Sequence, residues 1–141
     1  MRQKVEVLTD AERDALLYVR ELHEELENMC DGLRELKLLS ISISSPNMDG
    51  MPKAQSAGDA YAQVLVRIER QEREIASLSK RVSKAQYPAR RAANRLKGPF
   101  KRFCEDYYVN GMPFSLASAA SGVTDRQCKN YMAFIQKKAS T

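Results

Sequence analysis

No run of about 18 apolar residues occurs in this 141-residue chain, so no segment reads as a membrane-spanning helix. Residues 1–10 alternate charge with valine and form no apolar signal core, which argues against export and for a cytoplasmic protein. Histidine is almost missing: His23 stands alone, at a surface-type heptad position among Glu21, Glu24 and Glu25, where a solvated or ion-paired ring is expected. There is no glycine-rich phosphate loop, no nucleophile motif and no cluster of metal-ligand spacing. Catalysis is therefore not expected, and neither is a cofactor or a metal. The three cysteines, Cys30, Cys104 and Cys128, lie 74 and 24 residues apart, an odd set without the close pairs of a zinc site, and read as buried free thiols.

Acidic residues are also scarce in one half. The first 79 residues carry ten Lys and Arg against fifteen Asp and Glu, a net charge of −5. Residues 80–141 carry thirteen Lys and Arg against only Glu105, Asp106 and Asp125, a net charge of +10. Such asymmetry is expected where only one module meets a polyanion.

What the chain does contain is helical periodicity. Over residues 10–39, Ala15, Val19, Leu22, Leu26, Met29, Leu33 and Leu36 recur in alternating steps of four and three, a heptad seam. Thr9 and Asp10 suit an N-cap, and Glu12 an acid-favouring first turn. Residues 40–58, rich in Ser, Gly, Pro and Asn, read as a loop, with room for a short extended piece at Ile41 and Ile43. The segment Ser56-Ala-Gly-Asp59 resembles a capping box that opens a second helix. There Tyr61, Val64, Ile68, Gln71, Ile75, Leu78, Val82 and Ala85 repeat the rhythm as far as Tyr87-Pro88, where proline is expected to break it. Gln71 stands either as a register-setting polar residue inside the seam or at its wet edge.

Two heptad helices joined in this way predict an antiparallel hairpin. A lone hairpin buries little, so it either dimerises into a four-helix bundle or packs on its own C-terminal part, dimerisation being the preferred reading. The expected oligomer seam is Val19, Leu22, Leu26, Met29, Leu33, Leu36, Val64, Ile68, Gln71, Ile75, Leu78 and Val82. The predicted class is all-α: a coiled-coil hairpin over residues 1–87, followed by a basic helix-turn-helix over 88–141.

In the C-terminal part, residues 88–97 read as a basic linker. Pro99 suits the first position of a helix with Phe100, Phe103, Cys104 and Tyr107 on one face, ending near Asn110-Gly111. A short helix over residues 115–121, a turn at Gly122-Val123 and a last helix from Thr124 to about Lys138 then have the lengths and punctuation of a helix-turn-helix. Cys128, Tyr131 and Ile135 form a core stripe expected to face Leu116 and Ala120.

A helix of this kind fits the major groove, where Arg grips guanine, and Asn or Gln grips adenine, through paired hydrogen bonds. Arg126, Gln127 and Asn130 are the candidates for base readout on double-stranded DNA. Arg90, Arg91, Arg95, Lys97, Lys101, Arg102, Thr124, Lys129, Lys137 and Lys138 are the candidates for phosphate contacts, which add affinity without sequence information.

The order of helix, loop with Gly58-Asp59, second helix with Ile68-Glu69-Arg70 and Ile75, and then Tyr107-Tyr108-Val109-Asn110-Gly111-Met112 resembles phage late-gene transcriptional regulators of the ArpU and RinA type. Tyr108, Gly111, Phe114, Gly122, Val123, Thr124, Arg126 and Cys128 match that family's pattern, in a region similar to region four of sigma factors. The likeness covers nearly the whole chain, but its sharp part is residues 107–131. Ala117-Ser118 and Ser121 depart from it, standing where larger aliphatic residues are usual, so the first helix of the pair is expected to bury less. The resemblance implies a phage or prophage activator of late genes in a bacterial host's cytoplasm, acting at promoter-proximal DNA and touching RNA polymerase. A DNA-recognition subunit of a packaging terminase is the competing reading, although in those the DNA module commonly precedes the oligomerising helices. A coiled-coil adaptor with a basic tail is the third.

Overall fold

The computed structural model describes residues 8–44 and 54–136, all of them helix, turn or short connection with no strand. Helix α1 spans Asp10–Ser44, α2 Ala54–Ala93, α3 Gly98–Cys104, α4 Phe114–Ser121 and α5 Asp125–Gln136, with a π-helical turn at Glu105–Val109 after α3. The all-α expectation and the antiparallel hairpin of α1 and α2 are both observed. None of these helices is long and apolar enough to cross a membrane.

The start of α1 follows from its first four residues. Thr9 Oγ1 accepts the Glu12 backbone N–H at 3.1 Å, and Glu12 Oε1 accepts the Thr9 N–H at 2.8 Å, a reciprocal capping box that satisfies two otherwise orphaned donors. The far end differs from expectation. α1 runs on to Ser44, so Ile41 and Ile43 are helical and not extended, and α2 begins at Ala54, so residues 56–59 lie within it instead of opening it.

Pro88 does not end α2. The helix passes through it to Ala93, although a proline in a helix interior removes one hydrogen bond and costs about 3 kcal/mol. Burial accompanies the continuation. Ala85, Ala89, Ala92 and Ala93 on α2 are all buried, and Leu96 just beyond its end is buried too. Residues 88–97 are thus core-forming and not a linker between modules.

The chain divides elsewhere, into two compact units that cut α1 after Glu24 and α2 after Ser79. In one unit, Glu25–Ser79, the hairpin seam buries Val64, Ile68 and Leu78, with Leu26, Met29, Leu33, Leu36, Gln71 and Ile75 half-buried. Gln71 Nε2 donates to the Met29 carbonyl at 3.2 Å, so this polar seam residue has a partner within the chain. Gly32 lies opposite, 3.2 Å from that amide at its would-be Cβ, which leaves room for the glutamine. Lys37 and Glu72 form an ion pair of 3.3 Å across the same helices.

In the other unit, the described residues up to Glu24 and those from Lys80 to Gln136 share one core. Leu16, Val19, Leu22 and Val82 are buried there with Phe103, Cys104, Val109, Ala117, Cys128 and Ile135. Six residues assigned to an oligomer seam, Val19, Leu22, Val64, Ile68, Leu78 and Val82, are therefore covered within the single chain. The part of the hairpin that belongs to this unit packs on the chain's own C-terminal helices.

Core truncation separates buried from peripheral apolar residues. Leu16→Ala is expected to lower unfolding free energy by about 2–5 kcal/mol. Leu38→Ala, at a side chain 60% exposed, should stay within about 0.5 kcal/mol. Urea titrations of the two variants against the parent chain measure both.

Candidate nucleic-acid interface

The last helix is held from below by aromatic rings. Phe100 of α3 stacks on Tyr131 of α5 at 4.5 Å between centroids and on Phe134 at 5.9 Å. Phe103, fully buried, stacks on Tyr107 at 5.2 Å and meets Phe114 edge-on at 5.9 Å. Such pairs contribute about 0.5–1.5 kcal/mol beyond their area. All three cysteines are free thiols; Cys104 and Cys128 are buried as expected, whereas Cys30 is only half-buried, and burial pushes the Cys104 thiol far above the usual range.

Between α3 and α4 the backbone makes a wide turn that needs outside support. The Asn110 N–H reaches back five residues to the Glu105 carbonyl at 3.0 Å, and the Met112 N–H reaches Asp106 at 2.9 Å. Arg20 on α1 donates from Nη1 to the Tyr107 carbonyl at 2.9 Å and the Met112 carbonyl at 3.0 Å. Its guanidinium lies 4.0 Å from the Tyr107 ring centroid, and its Nε pairs with Glu24 at 3.1 Å. The Val109 carbonyl takes two more partners, Gln86 Nε2 at 2.8 Å and His23 Nε2 at 2.8 Å. A carbonyl has no proton to give, so His23 carries one on Nε2.

His23 is thus a packed structural residue, not the solvated one its heptad position suggests. It also explains Gly111, whose φ of +75° suits glycine and whose would-be Cβ falls 2.6 Å from the imidazole. Arg20, His23 and Gln86 were invisible in the periodicity, because polar residues flanking a heptad seam look alike whether they meet water or a carbonyl far along the chain.

The helix-helix turn is a small polar network. Gly122 takes φ +82°, the left-handed conformation that ends α4. Ser121 Oγ donates to the Ser118 carbonyl at 2.7 Å and accepts the Val123 N–H at 3.3 Å. Ser118, 1% exposed, donates its hydroxyl to the Asp125 carboxylate. Thr124 caps α5, its Oγ1 accepting the Gln127 N–H at 3.1 Å. Leu116 and Ala120 do not face the core as expected: Leu116 is 58% exposed and Ala120 is exposed, while Ala117 and Ser118 turn inward. Serine hydroxyls at positions 118 and 121 reach partners that an aliphatic side chain could not.

On α5, Cys128 and Ile135 are buried and Tyr131 and Met132 half-buried. At about 100° per residue, Arg126, Asn130 and Ala133 lie on the opposite face, and all three are exposed. Gln127 and Lys129 flank that face and are exposed too. Ala133 was not singled out in the sequence, where a small residue among polar ones gives no signal.

The basic candidates divide. Arg90, Arg91, Lys97 and Thr124 are exposed, and Lys101 is half-buried. Arg91 lies 5.7 Å from the Tyr87 ring centroid and Lys129 5.9 Å from that of Phe114. Arg95 pairs with Glu12 at 3.1 Å and Arg102 with Asp106 at 3.3 Å. Lys137 and Lys138 lie outside the described residues. No protein-family model, curated protein or solved structure matches this chain.

The clamp is open to mutational test. Gly111→Ala should cost about 1–3 kcal/mol from backbone strain, plus the clash with His23. The double variant His23→Ala/Gly111→Ala should recover the clash but not the strain. Arg20→Ala should cost roughly 1.5–3 kcal/mol for its charge-assisted bonds, with Arg20→Lys recovering only part because lysine lacks the planar fork. Thermal and denaturant midpoints read all four.

Proposed function

We propose that the chain is a sequence-specific DNA-binding regulator, of the phage late-gene activator type, in which α5 enters the major groove. The observation that carries this reading is the outward face of α5, where Arg126, Asn130 and Ala133 stand exposed with Gln127 and Lys129 at their sides. That face bears no carboxylate beyond Asp125, and Asp125 is engaged by Ser118. Arg126 suits guanine, Asn130 and Gln127 suit adenine, and the methyl of Ala133 suits the thymine methyl.

The net charge of +10 over residues 80–141 supplies the non-specific part of the attraction. The resemblance over residues 107–131 adds the promoter-proximal setting and contact with RNA polymerase in a bacterial cytoplasm. A dimer suits a two-fold operator. Because half of the inner seam is buried within the chain, the second copy would meet the apolar residues left exposed on the hairpin, among them Leu38, Leu39 and Ile41 on α1 and Leu65 and Val66 on α2.

Genome-wide binding of the intact protein tests the proposal. One or a few promoter sites are expected, lost on Arg126→Ala or Asn130→Ala, each change costing about 1–3 kcal/mol of specific binding. Lys97→Gln or Lys129→Gln should instead weaken all sequences alike and reduce the slope of log affinity against log salt by about 1. Even coverage of the genome, unchanged by the α5 substitutions, would overturn sequence-specific control.

A further inference from the structure

A cleft of about 450 Å³ opens beside the clamp, within the unit that holds α5. Leu17, Arg20, Glu21 and Glu24 of α1 form one wall, Tyr107 and Tyr108 of the π-helical turn another, and Met132 and Gln136 of α5 the third. Its volume falls within the range of small-molecule sites, and its lining mixes apolar surface with a few polar groups, as such sites do.

Two features distinguish it from an ordinary surface groove. Tyr108 is 2% exposed, yet its hydroxyl makes no hydrogen bond to any described residue, whereas buried polar groups in folded proteins are nearly always satisfied. Burial also raises its pKa well above the usual tyrosine range, so the group stays protonated and can donate. The second feature is charge. Arg20 is the cleft's only cation, and it is already engaged by two backbone carbonyls and Glu24. Glu21 forms no ion pair with any described residue. Two carboxylates against one guanidinium leave the lining one negative charge in excess.

We propose that this cleft binds a small organic monocation with an apolar body, of the arylalkylamine class. The ammonium group pairs with Glu21 and the second oxygen of Glu24 at the mouth. The ring lies against the apolar side chains of Leu17 and Met132. The Tyr108 hydroxyl donates to an acceptor on the ligand or to a water held beneath it. A bound molecule of this kind touches α1 and α5 together.

Phenethylamine and tyramine are the probes, with phenylpropionate as the anion of matched shape, titrated into the full chain by calorimetry and by backbone amide NMR. The amines are expected to bind saturably, shifting amide signals around Leu17, Glu21, Tyr108 and Met132, with phenylpropionate at least tenfold weaker. Glu21→Gln should weaken amine binding about tenfold while leaving the fold, read by circular dichroism, unchanged. Tyr108→Phe should reduce the advantage of tyramine over phenethylamine. No saturable binding of either amine, equal binding of the anion, or amine binding indifferent to Glu21→Gln would overturn the proposal. None of these readouts involves DNA, so their failure is distinct from failure of the regulatory reading.

Discussion

The C-terminal unit depends on a backbone that its own helices do not satisfy. Where α3 widens into the π-helical turn, the carbonyls of Tyr107, Val109 and Met112 take donors from Arg20, His23 and Gln86, which belong to α1 and α2. A buried carbonyl left without a donor costs about 1–3 kcal/mol, so three such groups together rival a sizeable share of a small domain's stability. The helix-turn-helix is therefore built on the long helices, and a cut at residue 87 would strip its floor of Leu16, Val19 and Arg20. Gly111 belongs to the same constraint: the left-handed residue needed after the turn is also the place where the imidazole must fit.

How much of this was legible depended on the range of the interaction. The heptads of both long helices, the Thr9 cap, the Gly122 turn and the Thr124 cap are local signals, and all of them are observed. Pro88 misled because its penalty is local, whereas the helix runs on to Ala93 in a setting where Ala89, Ala92 and Ala93 are all buried by the rest of the unit. His23 misled in the opposite sense, since its acidic neighbours in sequence are not its neighbour in space, the Val109 carbonyl. Half of the expected seam, Val19, Leu22, Val64, Ile68, Leu78 and Val82, is buried within the chain itself, and periodicity does not encode whether a seam meets its own chain or a second copy.

The small residues of α4 show how a departure from a pattern can be absorbed. With Ala117 and Ser118 turned inward, α4 brings little apolar area to the core, and the large Leu116 points outward. Cohesion comes instead from Phe114 against Phe103 and Tyr107, and from the serine hydroxyls that tie α4 to the turn and to Asp125. Hydrogen bonds are directional where apolar contacts are not, so this turn fixes the angle of α5 more tightly than its buried area suggests. For a helix whose proposed task is to align side chains with base edges, orientation matters more than bulk.

The ion pairs of the basic half bear on that task as well. Arg95 and Arg102 are bonded to Glu12 and Asp106, which looks like a reason to remove them from any phosphate-binding set. Their side chains are about half exposed, however, and pairs of this kind contribute only about 0–1 kcal/mol. In the proposed complex, exchanging such a partner for a DNA phosphate would therefore cost little free energy, and counterions released from the duplex would favour the exchange. Arg20 is the contrasting case: its side chain is mostly buried, and it is fixed by two carbonyls, a carboxylate and an aromatic face. The same residue type thus divides into half-exposed charge at the surface and a structural fixture inside, and the burial of each guanidinium, more than its position in the sequence, tells the two apart.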